Sequence, residues 1–447
     1  MQIAILGGGF TGLTAAYDLA RHGVEVTLFE GAPYVGGLAA GFKAPHWDWP
    51  VEHFYHHIFE GDTDIRALAD EIGFGKKVFF RNPITAQWYN GRAWPLDGGN
   101  PLEAALNVLR FPAMPLPDRL RYGLGLAYLK YGTNDWRALE QMTAAEWAQR
   151  VLGRRAYEQA IKPLLEGKFG PYAAEVNLAW LWARFKARSF RLGYFEGGFQ
   201  AFANALADAA RVAGATIHTN TPVTHIQRLP EGRWRVRTAG GEAAFDRVLA
   251  AVPPSVLVHI APDLPSAYLA HVQALKSLGA IVMVVALQHP LTPNLYWVNL
   301  DKREFPMLAL VEHTNYIEPT HYGGDHLVYL GDYLVPDHPY FEYDTEALFE
   351  VYEAALYRFN REYSPDWVRN VWLFKARYAQ PVPPVGHSAH IPSIRTPLEG
   401  LYFASMSHVY PWDRGTNYAV RLGRQVAHMI LGDTMENRQH SANVVPL

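Results

Sequence analysis

The sequence predicts an α/β fold in which a parallel, doubly wound sheet is interrupted by an inserted α+β domain. First, an apolar run at 3–6, a glycine-rich turn and a helical pattern at 13–21 follow one another. Second, strand patterns return between residues 213 and 256, after a mostly helical stretch. Third, a short apolar strand at 401–404 precedes a helical pattern that starts near Asn417. Strands and helices that alternate in this way are typical of a parallel sheet covered by helices.

The glycine-rich turn at residues 7–12, GGGFTG, completes a G-x-G-x-x-G motif. Gly7 allows a tight turn, Gly9 lets the backbone approach a pyrophosphate, and Gly12 lets the helix pack closely on the strand. A second apolar run ends on Glu30, where a carboxylate can accept a hydrogen bond from a ribose hydroxyl. Strand, glycines, helix, strand and acid in this order predict a dinucleotide-binding unit rather than an ordinary glycine turn.

A glycine pair, Gly36 and Gly37, follows Glu30 by six positions, and Leu38 comes next. With this pair the chain resembles the glutathione-reductase-type FAD-binding flavoproteins. Within them it is similar to flavin amine oxidases, phytoene desaturases, protoporphyrinogen oxidases and UDP-galactopyranose mutases. The resemblance implies FAD as cofactor and a Rossmann FAD-binding domain with an inserted α+β substrate domain. Many members carry Arg or Lys after the pair, and Leu38 departs from that pattern.

The resemblance and the changing patterns predict two discontinuous domains. The FAD-binding domain comprises residues 1–75, 213–279 and 377–447, and the substrate domain comprises 76–212 and 280–376. We expect the first substrate segment to be mostly helical. The second mixes strands with one long helix, which predicts an antiparallel sheet over a pocket.

Local patterns refine this division. They predict helices at 144–151, 155–164 and 345–363 and a strand at 245–251. Residues 239–242, Ala-Gly-Gly-Glu, predict a hairpin turn. The chain therefore has one dinucleotide-binding motif in a strand–helix context, and we expect no second site for NAD(P)H.

The helix near Asn417 resembles the family helix whose N-terminus points at the flavin pyrimidine ring, where it stabilises negative charge on reduced flavin. An ordinary Thr-capped helix is the competing interpretation. Ser405 and Met406 stand where the family often carries an acid, and Val223 corresponds to a backbone contact on the adenine side. The predicted FAD-binding residues are Gly7, Gly8, Gly9, Phe10, Thr11, Gly12, Glu30, Gly31, Gly36, Gly37, Leu38, His57, Val223, Ser405, Met406, Gly415, Thr416, Asn417 and Tyr418.

Three histidines lie within residues 52–59, and His57 is followed by Ile58 and Phe59. These three match a Gly-Pro-His-Ile-Phe segment of UDP-galactopyranose mutases, in which the histidine packs beside the flavin. The resemblance implies the same place for His57, and a hydrogen-bonded core histidine is the competing interpretation. A metal site is not expected, because the chain has no H-E-x-x-H motif and no companion Cys.

Arg184, Arg188 and Arg191 are spaced along one segment and predict a binding site for a carboxylate or phosphate of the substrate. A solvated helix face explains the pattern equally well. The run at 410–415, Tyr-Pro-Trp-Asp-Arg-Gly, precedes the helix aimed at the flavin and predicts a pocket wall. A turn held by Asp413 and its neighbour is the alternative. The predicted catalytic residues are His57, Arg188, Tyr410 and Arg414.

Composition excludes several classes of protein. Forty basic and 43 acidic residues give a net charge of −3, so no nucleic-acid partner is expected. The absence of cysteine excludes disulfides, thiolate ligands and a cysteinyl–flavin bond. Met1 leads directly into the first strand and no apolar run approaches ~18 residues, so we expect a cytoplasmic protein. Residues 102–131 mix apolar and basic side chains, which fits either a peripheral membrane contact or a helix packed on the core.

We expect an FAD-dependent oxidoreductase that moves a hydride from a C–H or C–N bond of a small-molecule substrate to flavin N5. The substrate classes that the motifs suggest are anionic, lipid-like or nucleotide-sugar molecules. Two alternatives stay open. One is a redox-neutral enzyme, similar to UDP-galactopyranose mutase, that uses reduced FAD on a nucleotide-sugar and shares the segments around His57 and Lys168. The other is a non-catalytic FAD-binding partner protein.

Overall fold

A computed structural model describes residues 1–96 and 100–443, apart from the side chains of residues 101 and 435–443. The strands are β1 (Gln2–Leu6), β2 (Glu25–Phe29), β3 (Gly41–Phe42), β4 (Val51–Glu52), β5 (Ile58–Phe59), β6 (Val78–Arg81), β7 (Ile84–Tyr89), β8 (Arg92–Pro95), β9 (Leu192–Phe195), β10 (Thr216–His218), β11 (Val223–Arg228), β12 (Trp234–Thr238), β13 (Gly241–Phe245), β14 (Arg247–Ala250), β15 (Ser277–Leu287), β16 (Leu295–Asn299), β17 (Ala309–Glu312), β18 (His326–Leu334), β19 (Val368–Pro381) and β20 (Leu401–Phe403). The helices are α1 (Phe10–Arg21), α2 (Thr63–Glu71), α3 (Pro101–Arg110), α4 (Leu116–Ala127), α5 (Trp136–Leu139), α6 (Ala144–Trp147), α7 (Arg154–Ala156), α8 (Lys162–Phe169), α9 (Leu178–Ala187), α10 (Gly198–Val212), α11 (Pro254–Ile260), α12 (Ser266–Gln273), α13 (Thr345–Phe359) and α14 (Thr416–Asn443).

Five parallel strands form the first large sheet, in the order β10-β2-β1-β14-β20. Side chains alternate between its two faces. Ile3 and Ile5 of β1 belong to a core with helices α1, α10 and α14. Ala4 and Leu6 belong to a second core with β11–β13, α11 and α12. Both faces are therefore covered, and the predicted α/β class is confirmed.

The second large sheet has the order β19-β15-β18-β17-β16-β7-β8. Neighbouring strands are antiparallel, except that β16 and β7 are parallel. This sheet confirms the antiparallel sheet expected within residues 280–376. The expectation that 76–212 is mostly helical is wrong for its beginning, since β6–β8 occupy most of residues 78–95. Residues 84–89, ITAQWY, are rich in β-branched and aromatic residues, and pairing with β16 buries Ala86 and Trp88.

Other local predictions can be compared directly. Gly153, with φ at +95°, separates the two helical segments predicted at 144–151 and 155–164. Both segments are helical, but each consists of short α-helices joined by π-helical turns rather than one regular α-helix. The strand predicted at 245–251 is present but shorter, as β14, because the backbone N–H of Asp246 donates to the carbonyl of Gln2 and separates β13 from β14. The hairpin turn predicted at 239–242 is confirmed by the pairing of β12 with β13.

The division into two domains stays an interpretation. Helix α10, assigned above to the substrate domain, packs against the FAD-binding half: Phe202 stacks on Phe10 of α1 with ring centroids 5.5 Å apart. This contact favours a boundary before residue 198. Within the described residues, the helices lack a stretch both long and apolar enough to cross a membrane.

Candidate active site

The glycine motif forms a tight loop between β1 and α1. Gly7 has φ at +104°, and a Cβ there would overlap the carbonyl of Ala251. A Cβ on Gly12 would overlap the carbonyl of Gly7, so these two glycines are required by packing. Gly9 differs, because a Cβ there would meet only the Cα of Gly37, at 3.8 Å. Gly9 therefore faces open space, as a position that cradles a ligand must.

Glu30 closes one side of this loop at the end of β2. Its Oε2 accepts the N–H of Gly8 at 2.6 Å, and its Oε1 accepts the N–H of Ala32 at 2.8 Å. Each carboxylate oxygen can accept a second hydrogen bond. The side chain is thus fixed in place while it keeps the capacity to accept from a ribose hydroxyl.

A cavity of about 1090 Å³, here called the cofactor cavity, runs from the glycine loop to the start of α14. It has room for a dinucleotide, and Gly9 and Glu30 lie in its wall, so the residues present fit FAD. The predicted FAD-binding residues that line it are Gly7, Gly9, Phe10, Thr11, Glu30, Gly31, Gly36, Gly37, Leu38, Val223, Ser405, Met406, Gly415 and Thr416.

Five predicted FAD-binding residues lie outside this cavity. The N–H of Gly8 donates to the Glu30 carboxylate, and Gly12 packs against the carbonyl of Gly7. Asn417 turns away, since its Oδ1 accepts the N–H of Ile65 at 3.0 Å. His57 and Tyr418 line a neighbouring cavity instead. Ser405 stays in the wall, but its hydroxyl lies 3.3 Å from the His408 ring.

The neighbouring cavity, here called the inner cavity, has a volume of about 200 Å³. It shares His56, Arg414, Gly415 and Thr416 with the cofactor cavity, so the two adjoin at the start of α14. Of the predicted catalytic residues, the structure brings His57, Arg188 and Arg414 together here.

Tyr410 is not brought to either cavity. Its hydroxyl donates to Oε2 of Glu140 at 2.9 Å and accepts from Nδ2 of Asn177 at 3.0 Å. Its ring packs edge-on against His387 and Trp136. Tyr410 therefore anchors the segment before α14. A residue adjacent to a motif in sequence need not point the same way, and this explains the error.

His57 is partly buried in the inner-cavity wall, and its buried Nδ1 has no hydrogen-bond partner among the described residues. Burial, assisted by the charge of Arg188, lowers the pKa of His57 to about 3. The ring is therefore neutral at physiological pH. An unsatisfied polar atom in a cavity wall is typical of a position that binds a ligand.

Four basic side chains, Lys168, Arg184, Arg188 and Arg414, contribute to the inner-cavity wall. Burial lowers the pKa of Lys168 to about 7, so the three arginines carry most of the positive charge at neutral pH. Asp413 lies among them, 2.9 Å from Lys168 Nζ and 3.9 Å from Arg184 Nη1. Burial disfavours ionisation of this carboxyl, but Lys168, Arg414 and Arg184 together hold the pKa of Asp413 well below its usual range. The alternative of an Asp413 network and the pocket-wall prediction are thus both realised.

Arg414 is held rigidly at the junction of the cavities. Its Nε donates to Oε1 of Gln380 at 2.9 Å, and its Nη2 donates to the hydroxyl of Tyr333. Tyr333, Tyr55 and Trp297 also line the inner cavity and were missed in the sequence. Tyr55 could have been predicted from the sequence, because it directly precedes the His56–His57 pair. Tyr333 and Trp297 lie in strands, and no local sequence pattern determines on which face of the sheet their side chains lie.

The parallel sheet, the glycine loop and the two adjoining cavities define a flavoprotein with a Rossmann-type FAD-binding fold. The sequence model described as flavin containing amine oxidoreductase matches residues 10–431. The chain belongs to this family of FAD-dependent oxidoreductases, and FAD is its cofactor. Among the described residues, groups of three metal-ligating side chains do not occur.

Relatives and solved structures agree with this placement. The protoporphyrinogen oxidase of Macaca fascicularis is 26% identical over 333 residues, which cover 64% of this chain and 66% of that protein. The chain spans less than two thirds of the length of the relatives it matches. A reduced UDP-galactopyranose mutase has a TM-score of 0.73 at 16% identity, covering 96% of this chain and 95% of that one. Putrescine oxidase with bound putrescine has a TM-score of 0.70 at 19% identity, covering 97% and 99%. At these identities the two structures establish the fold alone.

Proposed function

We propose that the protein oxidises a small molecule whose anionic group is held in the inner cavity. Bound FAD would supply the ring that accepts a hydride from a C–H bond of the substrate, for example the C–H next to an amine nitrogen. The observation that carries the proposal is the position of the inner cavity. It adjoins the cofactor cavity where α14 begins, and side chains from three distant segments converge there.

The charges of the inner cavity favour an anionic substrate. Its described lining includes four Arg and Lys side chains but only two carboxylates, Asp62 and Asp413. Arg184 has Asp413 as a neighbour at 3.9 Å, and that carboxylate already pairs with Lys168. A carboxylate or phosphate of the substrate would gain charge-assisted hydrogen bonds from such guanidinium groups. A cationic amine would be repelled.

The other residues orient the substrate and exclude water. The neutral His57 ring offers its unpaired Nδ1 to the substrate, as donor or acceptor according to tautomer. Arg414 fixes one wall through Gln380 and Tyr333. Backbone N–H groups at the start of α14 favour negative charge at the junction of the cavities. Together these groups would hold a reacting bond in place, which is where an enzyme of this kind contributes most.

A redox-neutral reaction on a nucleotide-sugar is the second candidate. The same cationic wall would suit a diphosphate, and Lys168 and His57 both lie in it. This candidate requires reduced FAD, so it differs from the first in a measurable way. The third possibility, an FAD-binding partner protein without catalysis, has no feature of the inner cavity in its favour.

Anaerobic mixing of the oxidised protein with paired substrates tests the proposal. Each pair has the same oxidisable C–N or C–H bond, with and without a carboxylate. We expect the anionic member to bleach the flavin absorbance at least tenfold faster. Arg184→Met should remove that preference, whereas Arg191→Met, outside the cavity, should keep it. Faster reduction by the uncharged or cationic member would refute the substrate class. Turnover only after dithionite reduction would establish the second candidate.

A further inference from the structure

Helices α3 and α4 carry a stripe of exposed apolar side chains. On α4 and the π-helical turn that follows it, residues 128–132, the exposed positions recur every three or four residues, which places them on one helix face. Leu116, Leu120 and Leu124 are 55%, 52% and 73% exposed. The apolar stripe consists of Leu102, Leu106, Leu116, Leu120, Leu124, Tyr128 and Tyr131. It contains half of the large apolar side chains exposed in the described residues.

The opposite face of the same helix packs against the protein. Leu129 is fully buried, and a Cβ on Gly125 would overlap Leu152. Lys130 donates to the backbone carbonyls of Phe185 and Arg188. The packed face agrees with the interpretation of residues 102–131 as a helix on the core, and the exposed apolar face is left without a partner in the described residues.

Positive charge borders the stripe. Residues 100–155 contain eight basic and five acidic residues, in a chain whose net charge is −3. Arg110, Arg121, Arg150 and Arg154 are exposed around the stripe. Arg121 reaches the backbone carbonyls of Val151 and Arg150, which ties the basic border to α4. Leucines on an exposed face with arginines beside them match the interface of an anionic bilayer.

We infer that the apolar stripe docks the protein on the surface of a membrane that contains anionic lipids. The leucines would enter the boundary between headgroups and acyl chains, while the arginines would contact lipid phosphates. Seven large apolar side chains exposed along two neighbouring helices call for a partner, because large exposed apolar surfaces are uncommon on a monomer that has none. Lys130 links the docked helix to the backbone of Arg188, so the inner cavity lies close behind the docking face.

Flotation with vesicles tests the inference. We use the FAD-loaded full chain with vesicles of pure phosphatidylcholine and of phosphatidylcholine with 30% phosphatidylglycerol. We expect the anionic vesicles to bind at least tenfold more tightly. Leu120→Glu with Leu124→Glu should weaken binding more than tenfold. Raising the salt from 0.1 to 0.5 M should weaken it several-fold, because screening acts on exposed charges.

Val212→Glu is the matched control, since Val212 is 90% exposed on α10, away from the stripe. It should leave vesicle binding unchanged. All three substitutions lie at exposed positions, and unchanged FAD absorbance and thermal melting verify that the variants fold. Failure of the native chain to bind either vesicle overturns the inference. A native dimer that the paired Glu variant converts to monomer, without vesicle binding, would assign the stripe to self-association instead.

Discussion

Asp413 and Lys168 form an ion pair of 2.9 Å that joins the segment before α14 to helix α8. Their side chains are only 19% and 10% exposed. The pair therefore fixes these two segments to each other beside the inner cavity.

Asp413→Asn should destabilise the fold by about 3–5 kcal/mol, because it leaves Lys168 and two arginines buried without their shared counter-charge. Urea unfolding at pH 7 measures the loss. The exposed pair Arg358–Glu304 provides the control, and Glu304→Gln there should cost about 1 kcal/mol or less. Equal effects of the two substitutions would show that the buried pair contributes no more to the free energy of unfolding than the exposed pair does.

The same pair predicts an acid dependence of stability. The pKa of Asp413 is depressed in the folded state, so its contribution is complete above the ordinary carboxyl pKa of 3.8 and is lost as the pH falls below it. The native protein should lose stability faster than Asp413→Asn does between pH 4 and pH 2. Unfolding curves recorded at each pH test this, and parallel curves would contradict the ionised state of Asp413.

Gly9→Val should abolish FAD binding without unfolding the protein. The φ of Gly9 is −73°, which valine adopts freely, and its Cβ would point into the cofactor cavity. Gly61 also has open space around it but lies elsewhere, so Gly61→Val is the control. Absorbance at the flavin band, relative to protein, measures occupancy. A full complement of FAD in the Gly9 variant would show that the pyrophosphate of FAD does not bind at this loop.

Glu30→Ala should weaken FAD binding by one to two orders of magnitude, or about 1.4–2.8 kcal/mol. The substitution removes a ribose acceptor and also frees the N–H groups of Gly8 and Ala32. Glu30→Gln, which keeps one acceptor oxygen, should lose less. Titration of the apoprotein with FAD gives the three dissociation constants, and an alanine variant with native affinity would contradict the role of Glu30.

His57→Ala should keep FAD bound and slow flavin reduction by substrate roughly a hundredfold, as loss of positioning does. Tyr410→Phe is the control suggested by the structure, because Tyr410 lies outside both cavities. It should reduce flavin at the native rate, although it loses some stability with the bond to Glu140. Stopped-flow absorbance separates these outcomes. If the Tyr410 variant is the impaired one, the inner cavity is not the reaction site.

Glu52→Gln should stabilise the protein at neutral and alkaline pH. Glu52 is buried, and desolvation raises its pKa to about 7, so the folded state loses stability as the pH rises from 4.5 through 7. Over that interval the variant should gain about 3 kcal/mol relative to the native chain. The single oxygen of glutamine, placed as Oε1 is in Glu52, can still accept from the Tyr194 hydroxyl and from the N–H of Phe199. Melting temperatures that stay parallel across this range would refute the raised pKa.

The cofactor cavity was predictable from sequence because its residues are fixed by backbone conformation. Gly7, Gly12 and Gly36 are required by turn geometry or close packing, so their spacing alone identifies the loop. The inner cavity was less predictable, since its wall depends on which way each side chain points across paired strands. His57 and Arg414 were found through neighbouring motifs, and the same reasoning failed for Tyr410.

The short strands were missed for a related reason. Strands β5, β6 and β9 contain two to four residues each, too few for a periodic pattern. They are held by pairing between distant segments, as Ile58 pairs with Gly193. Such pairing is a property of the tertiary structure and leaves little trace in a local window.

The parallel sheet takes its strands from almost the whole described chain, from β1 at Gln2–Leu6 to β20 at Leu401–Phe403. At synthesis rates of roughly 5–20 residues per second, about 20–80 s separate the appearance of these two strands. The strands of the seven-stranded sheet have all been made by residue 381. The half of the protein that starts first is therefore completed last. Ser405, Met406, Gly415 and Thr416 line the cofactor cavity, so its wall is complete only when nearly all of the described chain has been made.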